Sequence, residues 1–441
     1  MTDSSQPGSA DEPEEEGHGG ASGTPFGPLG PFGPLGAGGA FDLAGFARML
    51  QSDGPVSWEL AEQTALWTAL EGATEPPVGV DERRSLEELG RAAQSHVADE
   101  TGRSEVLAAP IHVFGRDAWV RLHLTALRPV LEALALSMRD AMTAAATAED
   151  DEGTDLTVGD LPPALAAMLS GFGSGGDPVA SMIGMVAPFF LGLQAGSMVG
   201  HLGRRALGRY DLPLPVQDRP GACFVPANLD AFEEDWSLPR DELRFYVALH
   251  ETTRVAERTV PWVQPLLVRL ASEYVAAFEL DPGALGDRLG GLDLTDPNAM
   301  QALAEQPAVL LGAMRGPRQE AALLRLRVLS SVLEGWGDLV LERIGTRLLP
   351  SFARVHEAMQ RHRIDRGEAD RFVEGLLGLD LGRDDYARGL AFCRGVVERA
   401  GVEGLDRLWE SEAMVPTPAE LDAPGLWLAR IDLPSSAGGA P

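Results

Sequence analysis

Between Phe245 and Trp262 the chain reads FYVALHETTRVAERTVPW, and His250 is followed directly by Glu251. A zinc-binding HExxH helix begins this way: two imidazoles one turn apart hold Zn²⁺, and the glutamate activates a metal-bound water. One turn after His250, however, stands Arg254. A guanidinium stays protonated and has no lone pair to offer, so Arg254 cannot ligate a cation. Leu243, Val247, His250 and Arg254 are spaced by four, three and four residues, which puts them on one helical stripe. The stripe starts apolar, so it faces the interior and carries His250 and Arg254 inward, with Glu251 beside them.

A second stretch, Leu324 to Gly345, contains Glu334 and Asp338 one turn apart in EGWGD. Two carboxylates on an apolar helix are costly to bury unless they find partners. The same spacing also suits the solvent face of an amphipathic helix. His201, His356 and His362 are imidazoles that could approach as substitute ligands, or simply cap and surface residues, while His112 and His123 lack ligand-like spacing. Cys223 and Cys393 are too few for a disulfide framework or a cysteine-rich metal site.

Helical periodicity begins in FDLAGFARMLQ and VSWELAEQTALWTAL. It predicts further helices over 85–98, 117–146, 161–210, 237–258, 262–279, 297–313, 318–347, 350–362, 368–377 and 383–400. For the helix over 237–258, Ser237 is the expected N-cap, Pro239 sits in the first turn, and Pro261 is the stop. ACFVPANL, residues 222–229, is the one strand candidate, and DEGTDLT and residues 281–298 read as loops. The expected organisation is a disordered Gly/Pro-rich acidic tail (1–44), a helical lobe (45–210), a core carrying both motif helices (211–435) and a disordered tail (436–441). Residues 178–203 hold no charge. Pro188, Gln194, His201 and many small residues favour a buried core helix there over a membrane span.

A net charge of −30 and a pI near 4.6 speak against nucleic acid and anionic membranes as partners. All 36 basic residues are arginine. The polar, acidic N-terminus resembles no signal or transit peptide, so a cytoplasmic location is expected.

Three stretches carry a resemblance: YDLPLPVQDRPGACFVPANLDAFEEDWSLPRDELRFYVALHETTR, VLEGWGDLVLERIGTRLLPSFARV and LDLGRDDYARGLAFCRGVVERAGVEGLDRLWESEAMVPTPAEL. They resemble the zincin-like metallopeptidase type 2 family, and the likeness runs from about Phe41 to Ile431. It implies a mainly α, zincin-like fold with a helical N-terminal lobe and few short strands. It also implies zinc as cofactor, His250 as the first metal ligand, Glu251 as the catalytic glutamate and Glu334 as an acidic ligand. Asp338 matches the aspartate of the family's Glu-Gly-His-Ala-Asp pattern, where it orients a ligating histidine. Arg254 and Trp336 depart from the family, each standing where a histidine is usual.

With Arg254 in place, zinc is expected to be weak or absent. The guanidinium would supply the lost metal charge by pairing with Glu334, Glu251 or Asp338, and Trp336 would fill the space of a histidine and a water. The chain then reads as a pseudopeptidase that binds a peptide or protein. The alternatives are an active zinc metallopeptidase with Glu251 as general base and an unorthodox ligand set, and a membrane-associated assembly factor using residues 178–203.

Overall fold

The computed structural model describes residues 54–149, 178–211, 219–277, 317–364 and 381–432. In chain order the first half holds α1 (Trp58–Leu70), α2 (Val80–Thr101), β1 (Ile111–Val113), α3 (Arg116–Glu149), α4 (Pro178–Arg205) and β2 (Ala222–Phe224). Next come α5 (Pro226–Trp236), α6 (Arg240–Arg258), α7 (Val263–Ala276), α8 (Pro317–Leu348) and α9 (Phe352–Ile364). The C-terminal part is α10 (Arg383–Asp406), α11 (Pro418–Asp422) and α12 (Pro424–Asp432). The fold is mainly α, with two short parallel strands among the described residues.

Small residues decide how closely the helices approach. A Cβ added to Gly192 or Gly196 of α4 would lie 2.4 Å from the carbonyl oxygen of Ser57 or Ala61, and one on Gly200 2.7 Å from that of Ala65. The glycine row therefore seats α4 directly on α1, whose Ala61, Ala65 and Ala69 are fully buried. None of the described helices is long and apolar enough to cross a membrane. Elsewhere α8 crosses α10 backbone to backbone. A Cβ on Gly335 would stand 2.1 Å from the Gly389 carbonyl carbon, and one on Gly389 1.8 Å from Ser331 O.

Several predicted boundaries move. Ser237 is not the N-cap of α6. It is the left-handed C-cap of α5 (φ 49°, ψ 45°), and Pro239 caps α6 instead. A residue before proline avoids the α region, so Leu238 breaks the helix that the periodicity would run through. The strand candidate 222–229 is a strand only over Ala222–Phe224, because Pro226 is well placed to start α5. The helix expected over 161–210 ends at Arg205, where a turn begins, and α10 kinks at Gly401 (φ 73°). The tails, 297–313, 368–377, FDLAGFARMLQ, DEGTDLT and the loop 281–298 lie outside the described residues.

β1 pairs with β2 in the register Ile111–Ala222, His112–Cys223, Val113–Phe224. The Ala222 amide donates to Pro110 O at 3.0 Å, and the Phe114 amide donates to Phe224 O at 2.9 Å. Alternation then points the intervening Cys223 amide away from β1 and toward α6.

Candidate active site

Helix α6 is buried from Tyr246 to Arg258 on every face. Its inward stripe is as the spacing implies, with Leu243 and Val247 fully buried, His250 2% exposed and Arg254 1% exposed. Such a helix must satisfy each polar side chain inside the protein. Two separate sets of partners serve most of them, while His250 Nδ1, Thr252 Oγ1 and the Nε atoms of Arg254 and Arg258 have no hydrogen-bond partner.

The first set surrounds Arg254. Its Nη2 donates to Glu334 Oε2 at 2.6 Å, and its Nη1 donates to Glu257 Oε1 at 2.8 Å and to Leu333 O at 2.9 Å. Arg258 Nη1 donates to the other Glu257 oxygen at 2.8 Å. From α9, Arg363 reaches Asp338 through both amino groups at 2.8 and 3.2 Å, and lies 3.4 Å from Glu334 Oε2. Three guanidiniums thus meet three carboxylates, all inside the protein. The two arginine forks toward Glu334 and Asp338 use the planar geometry that lysine lacks. Burial opposes the charge of Asp338, but Arg363 outweighs it and holds that carboxyl below the usual range. At Glu257 the burial wins over Arg254 and Arg258, and pushes the carboxyl up to about 7.

Room for Arg254 comes from Gly337. A Cβ there would lie 2.6 Å from Nη1 and 2.8 Å from Cζ of Arg254. Gly337→Ala is expected to force the guanidinium off its partners at a cost of about 1–3 kcal/mol, the scale of overpacking. A lowered urea midpoint with an unchanged slope would show it. Trp336 is 3% exposed and stands edge-on to Trp409 at 4.9 Å, with the Arg103 guanidinium 5.9 Å from its ring.

The second set surrounds Glu251, which is fully buried. Its Oε2 accepts from the amides of Arg209 (2.9 Å) and Cys223 (3.0 Å), and its Oε1 accepts from the Tyr210 amide (2.9 Å). Gly208 permits this approach, since a Cβ there would be 2.4 Å from the Glu251 carboxyl carbon. The same turn is held from outside. Trp119 Nε1 donates to Gly208 O at 2.7 Å, Asn228 Nδ2 donates to Ala206 O at 2.8 Å, and the Val225 amide donates to Leu207 O at 3.0 Å. His123 stacks on Trp119 at 3.7 Å and faces Arg209 O at 3.3 Å; burial lowers its pKa to about 4, so it stays neutral. Glu251 is therefore the internal anchor of the 206–211 turn and of β2.

Zinc requires three protein ligands and an open position. At the positions the HExxH and EGWGD patterns would supply, Arg254 cannot ligate, and its guanidinium is bonded to Glu334. The His250–Arg254–Glu334 arrangement does not fit a zinc ion. Among the described residues one group of possible ligands converges: Asp211, His250 and Glu251, with ligand atoms within 4.8 Å of one another. Of the other histidines, His201 Nδ1 faces Ser197 O at 2.8 Å, His356 Nδ1 faces the Tyr246 hydroxyl at 2.8 Å, and His362 Nε2 is 3.9 Å from Asp211.

Glu257, Arg258, Arg363 and Asp211 are the participants that the spacing argument did not single out. Glu257 lies three residues after Arg254, a ready clue to a helical pair. Asp211 stood inside the YDLPLP stretch without a role.

Among solved structures, one from Chloroflexus aurantiacus, described as a "putative hydrolase with a novel fold", is 23% identical with a TM-score of 0.59. The match covers 86% of this chain and 99% of that one, and it shows a shared fold. Among curated proteins none matches. The zincin-like metallopeptidase family matches residues 56–428. With that match spanning α1 to α12, and with His250 and Glu251 on a buried helix facing the EGWGD helix, the chain belongs to the zincin-like metallopeptidase family.

Proposed function

We propose that the chain is a pseudopeptidase: it keeps its family's scaffold, binds a peptide or protein partner, and does not cleave it with zinc. The observation that carries this reading is the 2.6 Å contact between Arg254 Nη2 and Glu334 Oε2, a fixed cation where the family's helix presents a second ligand. A guanidinium supplies positive charge without a Lewis-acid coordination site, so it holds the carboxylates but activates no water. The reading of Glu251 as a general base competes with its three amide contacts, which occupy three of the four acceptor sites of a carboxylate.

The test is peptide hydrolysis by the full chain supplied with Zn²⁺, against a casein or quenched-fluorescent peptide substrate. No chelator-sensitive cleavage is expected. Chelator-sensitive cleavage by the wild-type chain that disappears in Glu251→Gln, with that variant shown by circular dichroism to be folded, would overturn the reading. Arg254→His alone is expected to restore no cleavage, because Arg363 and Arg258 remain packed around Glu334 and Glu257.

A further inference from the structure

We infer that Asp211, His250 and Glu251 form a site for one first-row divalent cation, distinct from the Arg254–Glu334 pair, and that the bound ion fastens the 206–211 turn to α6. The three ligand atoms already lie within 4.8 Å of one another. His250 is 2% exposed, yet its Nδ1 has no hydrogen-bond partner. A buried ring nitrogen left bare is costly, and this one sits 3.8 Å from Glu251 Oε1. Glu251 Oε1 accepts a single amide hydrogen bond, from Tyr210, which leaves it a lone pair to donate.

Metal–ligand bonds of about 2.0–2.1 Å in a tetrahedral shell set neighbouring ligand atoms about 3.3 Å apart. The 3.8 Å His250–Glu251 separation thus needs to close by about half an ångström, and the widest separation in the group, within 4.8 Å, by up to about 1.5 Å. The Asp211 and His362 side chains are 12% and 14% exposed, so the ion has a route in and its open positions can hold water. The Leu207 amide donates to Asp211 Oδ2, and His362 Nε2 lies 3.9 Å from the same oxygen, so Asp211 Oδ1 is the oxygen left to meet the ion. One imidazole with two carboxylates suits Zn²⁺, Co²⁺ or Mn²⁺ rather than a thiolate-seeking ion. The inference depends on Asp211, which lies outside the HExxH and EGWGD patterns, and does not rest on the pseudopeptidase reading.

The experiment is titration of metal-stripped full-length protein with Co²⁺ alone, followed by visible absorption, and then displacement by Zn²⁺. One equivalent is expected to bind and to raise Tm. Asp211→Asn is expected to weaken binding at least about tenfold, with an unchanged circular dichroism spectrum. Should that variant fail to fold, Asp211→Glu keeps the charge and is expected to shift the cobalt bands; unshifted bands overturn the site. Binding unchanged in Asp211→Asn also overturns it, and if that binding requires Glu334 the pseudopeptidase reading falls too. No binding by the wild type overturns the site and leaves that reading standing.

Discussion

Glu251→Ala is expected to destabilise the fold by roughly 3–9 kcal/mol, with no substrate or metal involved. The variant strands the buried amides of Arg209, Tyr210 and Cys223, and each orphaned donor costs about 1–3 kcal/mol. Glu251→Gln keeps the shape and one acceptor oxygen, but its amino group must face a backbone donor. Its loss should fall between wild type and alanine. Equilibrium denaturation in guanidinium chloride measures both. A glutamate serving only as a general base would behave otherwise, since substitutions away from structural contacts usually stay within about 0.5 kcal/mol. Stability of Glu251→Ala within that margin would show that the three amide contacts contribute nothing.

Arg254→Ala is expected to cost about 3–5 kcal/mol, the scale of removing one partner from a buried ion pair. Glu334 and Glu257 would both lose a guanidinium inside the protein, at 5% and 0% exposure. Arg254→Lys recovers only part of the loss, because one ammonium cannot reach two carboxylates and the Leu333 carbonyl with the fork's geometry. The informative comparison is Arg254→Met combined with Glu334→Gln, because Glu257 then keeps Arg258 and Arg363 keeps Asp338. Replacing a buried ion pair by groups of similar volume is often near neutral, so the double variant should be more stable than Arg254→Ala. A double variant as unstable as the single one would mean that Arg254 acts through packing and not through charge.

The stripe Leu243–Val247–His250–Arg254 was legible because helical spacing alone decides which side chains share a face. What each residue meets on that face was not. Arg254 has carboxylates of α6 and α8 as partners, and the second comes from 80 residues away. Glu257 and Arg258, adjacent in sequence and of opposite charge, look like the solvated end of an amphipathic helix. Only the elements packed over them reveal their burial. Arg363 was hidden by composition, since in a chain whose cations are all arginine no single arginine stands out. Glu251 shows the opposite difficulty. Its motif position suggests chemistry, while its three amide donors come from a turn and a strand that no local pattern places beside it. The misplaced helix start at Ser237 has a local cause, the Leu238–Pro239 step, which the apolar periodicity overrode.

The glycines of EGWGD limit how α8 can move. Gly335 lies against the backbone of α10, Gly337 against the Arg254 guanidinium, and Trp336 is wedged by Trp409. Turning the helix by one residue, about 100°, would drive a side chain into one of the two surfaces that accept only a hydrogen. α8 is therefore keyed in a single angular setting, and rotation of that helix cannot swing Glu334 away from its arginines toward an incoming ion.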